Sequence, residues 1–225
     1  MKHLCWHLGL GDMIMCAGLV VKLAEQDELT LPVPQRYMAS LKSFFPDHAA
    51  GWMHNNVFFT PAEHAADIWP VANDRSKKCI RLGRYAGMNG SVHNNVRELY
   101  YLHAGVDPSV RWTHNPLPDA AKFIEQVAIP NGDYIFIHDD PARGFNIKLD
   151  YFKAPYIRPD RGDEHLSILR YADALINARE IHVIDSSFFH LAESLPIKGK
   201  VFLHFYARPE SVIYKGYRHP LQVIS

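Results

Sequence analysis

The chain has little of what would settle its chemistry at once. It holds 3 cysteines in 225 residues, Cys5, Cys16 and Cys79, an odd number at wide spacing in apolar surroundings. That pattern argues against a disulfide frame or zinc knuckle and for buried thiols in a reducing compartment, so a cytoplasmic location is expected. Charge of one sign is also missing. Lys plus Arg, at 24, equals Asp plus Glu, at 24, which leaves no basic field for nucleic acid and no acidic tail. The longest N-terminal apolar segment, Met13 to Ala24, carries Lys22 and follows Gly11-Asp12, too short and too polar at its start for a membrane span or signal peptide. Histidines number 14, yet no HExxH or paired Cys/His spacing organises them, and no metal is expected. The first turn reads Gly9-Leu10-Gly11, but Ile14 stands where a dinucleotide fingerprint needs its third glycine, which argues against an NAD-dependent oxidoreductase.

What the chain does have is apolar mass and alternation. Hydrophobic residues make up 48% and aromatics 12%, ample for one large domain or two small α/β halves. Lys2 to His7 reads as a strand that runs into the glycine turn, after which Ile14, Ala17, Gly18, Val21 and Ala24 recur at helical spacing. Strands at Leu29 to Val33, Val57 to Thr60 and Cys79 to Leu82 alternate with helices at Gln35 to Phe45, Ala62 to about Trp69, and Asn94 to His103. Such alternation predicts a mainly parallel sheet covered by helices. Gly105 to Pro118 holds three prolines and a glycine without periodicity, the best candidate linker, and Pro118 to Ile129 is predicted as the helix that opens the second half. The domains are accordingly placed at 1–110 and 111–225.

The second half restarts the pattern. Tyr134 to His138 is the cleanest buried strand and leads into a polar loop, Asp139-Asp140-Pro141-Ala142-Arg143. Tyr156 to Pro159 is an extended piece carrying Arg158, and Ser167 to Ala178 reads as a helix. Ile181 to Ile184 is a strand that breaks at Asp185-Ser186-Ser187, followed by a helix with Phe188, Phe189, Leu191, Ala192 and Leu195 on its apolar side and Pro196 at its end. Lys200 to Tyr206 is a further strand, with Val212 to Tyr214 and Leu221 to Ile224 as short candidates.

Three turns carry the candidate chemistry. Ligands of open α/β sheets bind beyond the carboxyl ends of strands, where helix N-termini present free N–H groups and favour anions. Gly9 and Gly11 allow close backbone approach, and Asp12 at the helix start is a carboxylate suited to act as a general base, or simply a helix cap. Asp185, Ser186 and Ser187 are capping residues that equally suit a phosphate, and His190 is either a site residue or a core histidine. His138, Asp139 and Arg143 line the loop after the central strand. There Arg143 serves as a planar fork for phosphate or as a surface partner of Asp139 or Asp140.

Gly11-Asp12 resembles the Gly-Asp motif at the first turn of bacterial heptosyltransferases and related GT-B glycosyltransferases. Asp185-Ser186 followed by His190-Leu191-Ala192 resembles their C-terminal signature, an aspartate, a hydroxyl residue, and a histidine five positions after the aspartate. The resemblance implies two Rossmann-like domains facing across a cleft. Asp12 would then deprotonate an acceptor hydroxyl, Ser186, Ser187 and the following N–H groups would hold a donor diphosphate, and His190 would support them from behind. The implied activity is metal-independent transfer of a sugar from a nucleoside-diphosphate sugar to a carbohydrate or glycolipid acceptor, with no cofactor beyond the donor. Ser187 stands where the family has a loop glycine, and the chain is short for such an enzyme. A non-catalytic nucleotide- or sugar-binding protein and a nucleotide-sugar epimerase are the alternatives, and an Asp139-Asp140 metal pair is a rival use of the central loop.

Overall fold

The computed structural model of the chain describes residues 1–45, 56–83, 96–148, 153–208 and 217–225. Two sheets are present, and every strand pairing among the described residues is parallel. The first is built from β1 (Lys2–Cys5), β2 (Leu29–Val33), β3 (Val57–Pro61) and β4 (Cys79–Arg81), in spatial order β3-β2-β1-β4. The second holds β5 (Ile135–His138), β6 (Tyr156–Ile157), β7 (Glu180–Val183), β8 (Lys200–His204) and β9 (Leu221–Ile224), in order β6-β5-β7-β8-β9. The expected α/β plan of two parallel sheets is therefore observed.

Strand order fixes where a ligand can enter. In the first sheet the chain moves outward from β1 through β2 to β3 and then returns to pair β4 on the other side of β1. In the second it moves from β5 to β6 and then reverses to β7. At each reversal the following loops diverge to opposite faces of the sheet and leave a crevice at the carboxyl ends of the strands. The loop after β1 carries Gly9 to Asp12, the loop after β5 carries Asp139 to Arg143, and the loop after β7 carries Asp185 and Ser186.

Helices cover the sheets. After β1 come α1 (Leu10–Met15) and α2 (Ala17–Ala24), separated by Cys16 at φ −92° and ψ 1°, a break inside what the apolar spacing reads as one helix. The predicted helix at Gln35 to Phe45 is a 3-10 turn at Gln35–Tyr37 followed by α3 (Met38–Phe44). Next, α4 (Ala65–Asn73) begins three residues later than expected, where His64 and Asp67 close a reciprocal capping box. α5 (Val96–His103) falls within its predicted span.

The predicted linker is a packed segment. Within it lies α6 (Val110–Thr113), with Val110 and Arg111 buried against α2. The contact rests on Gly18, where a Cβ would stand 2.7 Å from the Val110 carbonyl oxygen and 3.1 Å from that of Arg111. Proline and glycine content alone does not reveal a docking made by a missing side chain 92 residues upstream (110 minus 18).

The helix expected over Pro118 to Ile129 is also shorter. α7 (Leu117–Ala120) passes into a 3-10 turn at Ala121–Phe123 and ends at Ile124, whose backbone is extended. Gln126 Nε2 donates to the carbonyls of Ala121 and Ile124, at 3.0 and 2.9 Å, the first of which also accepts from the Ile124 N–H, while the Val127 N–H donates to Arg170 O at 2.9 Å. The side chain thus stops the helix and the backbone moves to a distant partner.

In the second half, Ser167 caps a 3-10 turn at Ile168–Tyr171 that leads into α8 (Ala172–Asn177), and α9 (Ser187–Ser194) follows β7. The candidate strand at Val212 to Tyr214 lies outside the described residues. Leu4, Trp6, Met13, Leu31 and Phe44 from the first half and Phe136, Ile181, Val183, Phe189 and Leu191 from the second belong to one contiguous buried cluster. Truncating a fully buried ring such as Phe189 to alanine removes about 3–5 kcal/mol. Among the described residues no helix is long and apolar enough to cross a membrane.

Candidate functional site

A cavity of about 1040 Å³ lies where the loops after β1, β5 and β7 come together. Gly9, Gly11 and Asp12 line it from the first half, and His138, Asp139, Arg143, Arg158, Asp185, Ser186, Ser187 and His190 from the second. Every residue singled out in the sequence therefore borders one space, although not all have their polar atoms available to a ligand.

Asp12 sits in the first turn of α1, half-buried. The Tyr100 hydroxyl, 88 residues away on α5, donates to its Oδ1 at 2.8 Å. Behind Tyr100 lies the His7 ring, at a centroid distance of 6.0 Å. A helix start favours the carboxylate form, and the tyrosine fixes one oxygen. Gly9, at the N-cap of α1, has no room for a side chain, since a Cβ there would stand 2.6 Å from Asp12 Oδ2.

The mouth at α9 is organised differently. Ser186 occupies the N-cap with an extended backbone, yet its side chain makes no capping bond. Its Oγ instead shares a 3.0 Å hydrogen bond with His138 Nδ1. The expected capping chemistry is thus replaced by a cross-strand pair that joins the ends of β5 and β7. The His138 ring packs on Phe188 at a centroid distance of 4.4 Å, and burial pushes its pKa down to about 4, against the opposing pull of Asp139 and Asp140. Ser187 lies at the cavity wall without capping the helix.

His190 is buried, with Nε2 3.6 Å from Asp185 Oδ1. Its Cδ2 would stand 2.7 Å from a Cβ at Gly11, so the two helices touch where glycine alone fits. His190 therefore links the Asp185 turn to the start of α1. Arg208, following β8, donates through Nη1 to the Asp185 carbonyl.

The central loop is largely self-satisfied. Asp139 is buried and accepts from Arg158 through Oδ1, at 2.9 Å from Nε and 2.6 Å from Nη2, and from the Ile147 N–H through Oδ2 at 3.0 Å. This carboxylate acts as an internal strut. Asp140 caps the 3-10 turn at Pro141–Arg143 and pairs with the Arg143 Nε, which realises the surface pairing of Arg143 rather than a guanidinium without a partner. Among the described residues, no group of three His, Cys, Asp or Glu is placed to hold a metal ion.

Sequence reasoning did not assign Tyr100, Arg36 or Arg208 to the site. The two arginines follow the carboxyl ends of β2 and β8, and strand-end position is the signal that finds them. Tyr100 gave no such sign, because in sequence it belongs to the apolar side of a helix. No protein-family model, curated protein or solved structure matches this chain.

Proposed function

We propose that the chain is a glycosyltransferase of GT-B type, related to the heptosyltransferase group, that moves a sugar from a nucleoside-diphosphate sugar to a hydroxyl acceptor. The observation that carries this reading is the sharing of one cavity by a carboxylate at the start of α1 and a hydroxyl-rich, uncapped start of α9. Glycosyl transfer needs both: a base for the incoming alcohol and fixed donors for the departing diphosphate.

In this mechanism Asp12 Oδ2 takes the acceptor proton, while the Tyr100 hydroxyl holds Oδ1 and orients the carboxylate. The alcohol oxygen bonds to the anomeric carbon as that carbon's bond to the diphosphate breaks. Backbone N–H groups at the start of α9, with Ser186 and Ser187, receive the developing negative charge. Arg158 and Arg143 stand at the cavity wall paired with Asp139 and Asp140, so the phosphate charge falls to the N–H groups and hydroxyls of the α9 start. The reading places the donor on the second sheet and the acceptor against the first, with the reaction in the cleft between them.

A thermal-shift panel of nucleoside diphosphates and sugar nucleotides tests the binding half, since a ligand of the folded state raises the melting temperature with concentration. Transfer of labelled sugar to an acceptor, undiminished by a chelator, tests the chemical half. Binding without any transfer would make the chain a nucleotide-sugar-binding protein, and conversion of the donor without acceptor would make it an epimerase. Strict dependence on manganese would overturn the assignment of roles.

A further inference from the structure

His138 and Ser186 lie at the switch point of the second sheet, joined through Nδ1 and Oγ at 3.0 Å, and both border the cavity. The two acids that follow the ring in sequence each have a basic partner. Asp139 is paired with Arg158, Asp140 with Arg143, and Asp185 faces His190. Phe188 covers one side of the ring. Burial therefore decides the protonation state, and the ring is neutral near neutral pH, its pKa lowered to about 4.

A neutral imidazole has one N–H to serve two edges, whereas a charged one has two. Once charged, the ring donates from Nδ1 to Ser186 Oγ, and the Ser186 hydrogen turns to another acceptor. A diphosphate seated against these side chains brings two or more negative charges beside the ring, which favours its charged form.

We propose that capture of a phosphate-bearing ligand at this mouth is coupled to uptake of one solvent proton by His138, which converts the His138–Ser186 contact into a charged donor pair. The inference rests on the phosphate-site reading given under Proposed function and adds its regulation by pH. Ligand affinity then rises as the medium becomes more acidic, by as much as about tenfold for each pH unit between the free and ligand-bound titrations of His138.

Calorimetric titration with inorganic pyrophosphate at about pH 5.5, in two buffers of different ionisation enthalpy, counts the protons taken up. The wild-type chain should take up close to one proton more than His138→Gln, and the protonation of pyrophosphate itself is common to both. Binding with equal uptake in the two chains overturns the role of His138 and leaves the phosphate site standing. Failure of the wild type to bind pyrophosphate overturns the phosphate site and this inference with it. Should His138→Gln not fold, Ser186→Ala keeps the ring but removes its partner, and its proton uptake should fall below that of the wild type; unchanged uptake overturns the coupling.

Discussion

The two mouths that share the cavity are built from the same parts and finished in opposite ways. At β1 and α1, a glycine N-cap leaves space and an acid occupies the first helical turn. At β7 and α9, the N-cap is a hydroxyl that turns away from its helix toward His138. The acid is tied to a tyrosine from α5, the hydroxyl to a histidine from the neighbouring strand. A strand, turn and helix thus present either a tethered carboxylate or a helix start without a side-chain cap, depending on which side chain occupies the first turn and what engages it from outside.

Replacing the acid is the most severe test of that contrast. Asp12→Asn keeps the shape and removes the base, so transfer should fall by about 10²–10⁴-fold while nucleoside diphosphate affinity is unchanged. A parallel loss of affinity, read by calorimetry, would mean that the two mouths are not functionally separate.

Acid should separate the two sheets next. Buried His182 and His204 share a 2.9 Å bond between Nδ1 and Nε2, and burial lowers both pKa values, that of His204 to about 4. The folded state therefore binds fewer protons than the unfolded chain, whose histidines titrate near 6.5. This contribution is complete above about pH 6.5 and drains away as pH falls toward 4, at up to about tenfold in the folded-to-unfolded ratio per pH unit for each ring. Hydrogen exchange at about pH 5 should show β8 and β9 opening before β1 and β2. The reverse order would place the acid-sensitive element in the first sheet.

Gly11→Ala probes the join between the mouths. The added carbon meets the His190 ring at 2.7 Å, and relieving such overpacking costs about 1–3 kcal/mol. Chemical denaturation should show that loss, with a lower melting temperature. Tyr100→Phe is the mildest change. Removing its bond to Asp12 should leave the fold intact, lower transfer by only a few-fold, and shift the acid limb of the pH–rate profile upward, because the carboxylate loses a donor that favours its charged form. An unmoved acid limb would show that Asp12 is not the titrating base.

The sheets and the three polar turns were legible in the sequence because each depends on neighbours. Tyr134 to His138 and Ile181 to Ile184 are short β-branched or aromatic runs that stop at charged residues, and both are strands in the second sheet. Pairings across distance were not legible. The polar loop after β5 names Asp139 and Arg143 as candidates, but the loop's own geometry gives Asp139 to Arg158 and Arg143 to Asp140. Tyr100 reaches Asp12 only once the fold brings two segments 88 residues apart together. The packing of the candidate linker on α2 was not legible because it depends on an absence, the Cβ that Gly18 does not have.

The contact between Gly11 and His190 also bears on how far a local change travels. A methyl at Gly11 meets the His190 ring, and losing the imidazole removes one contact of Asp185. A change at Gly11 is therefore felt at Asp185 and His190, a turn far along the chain.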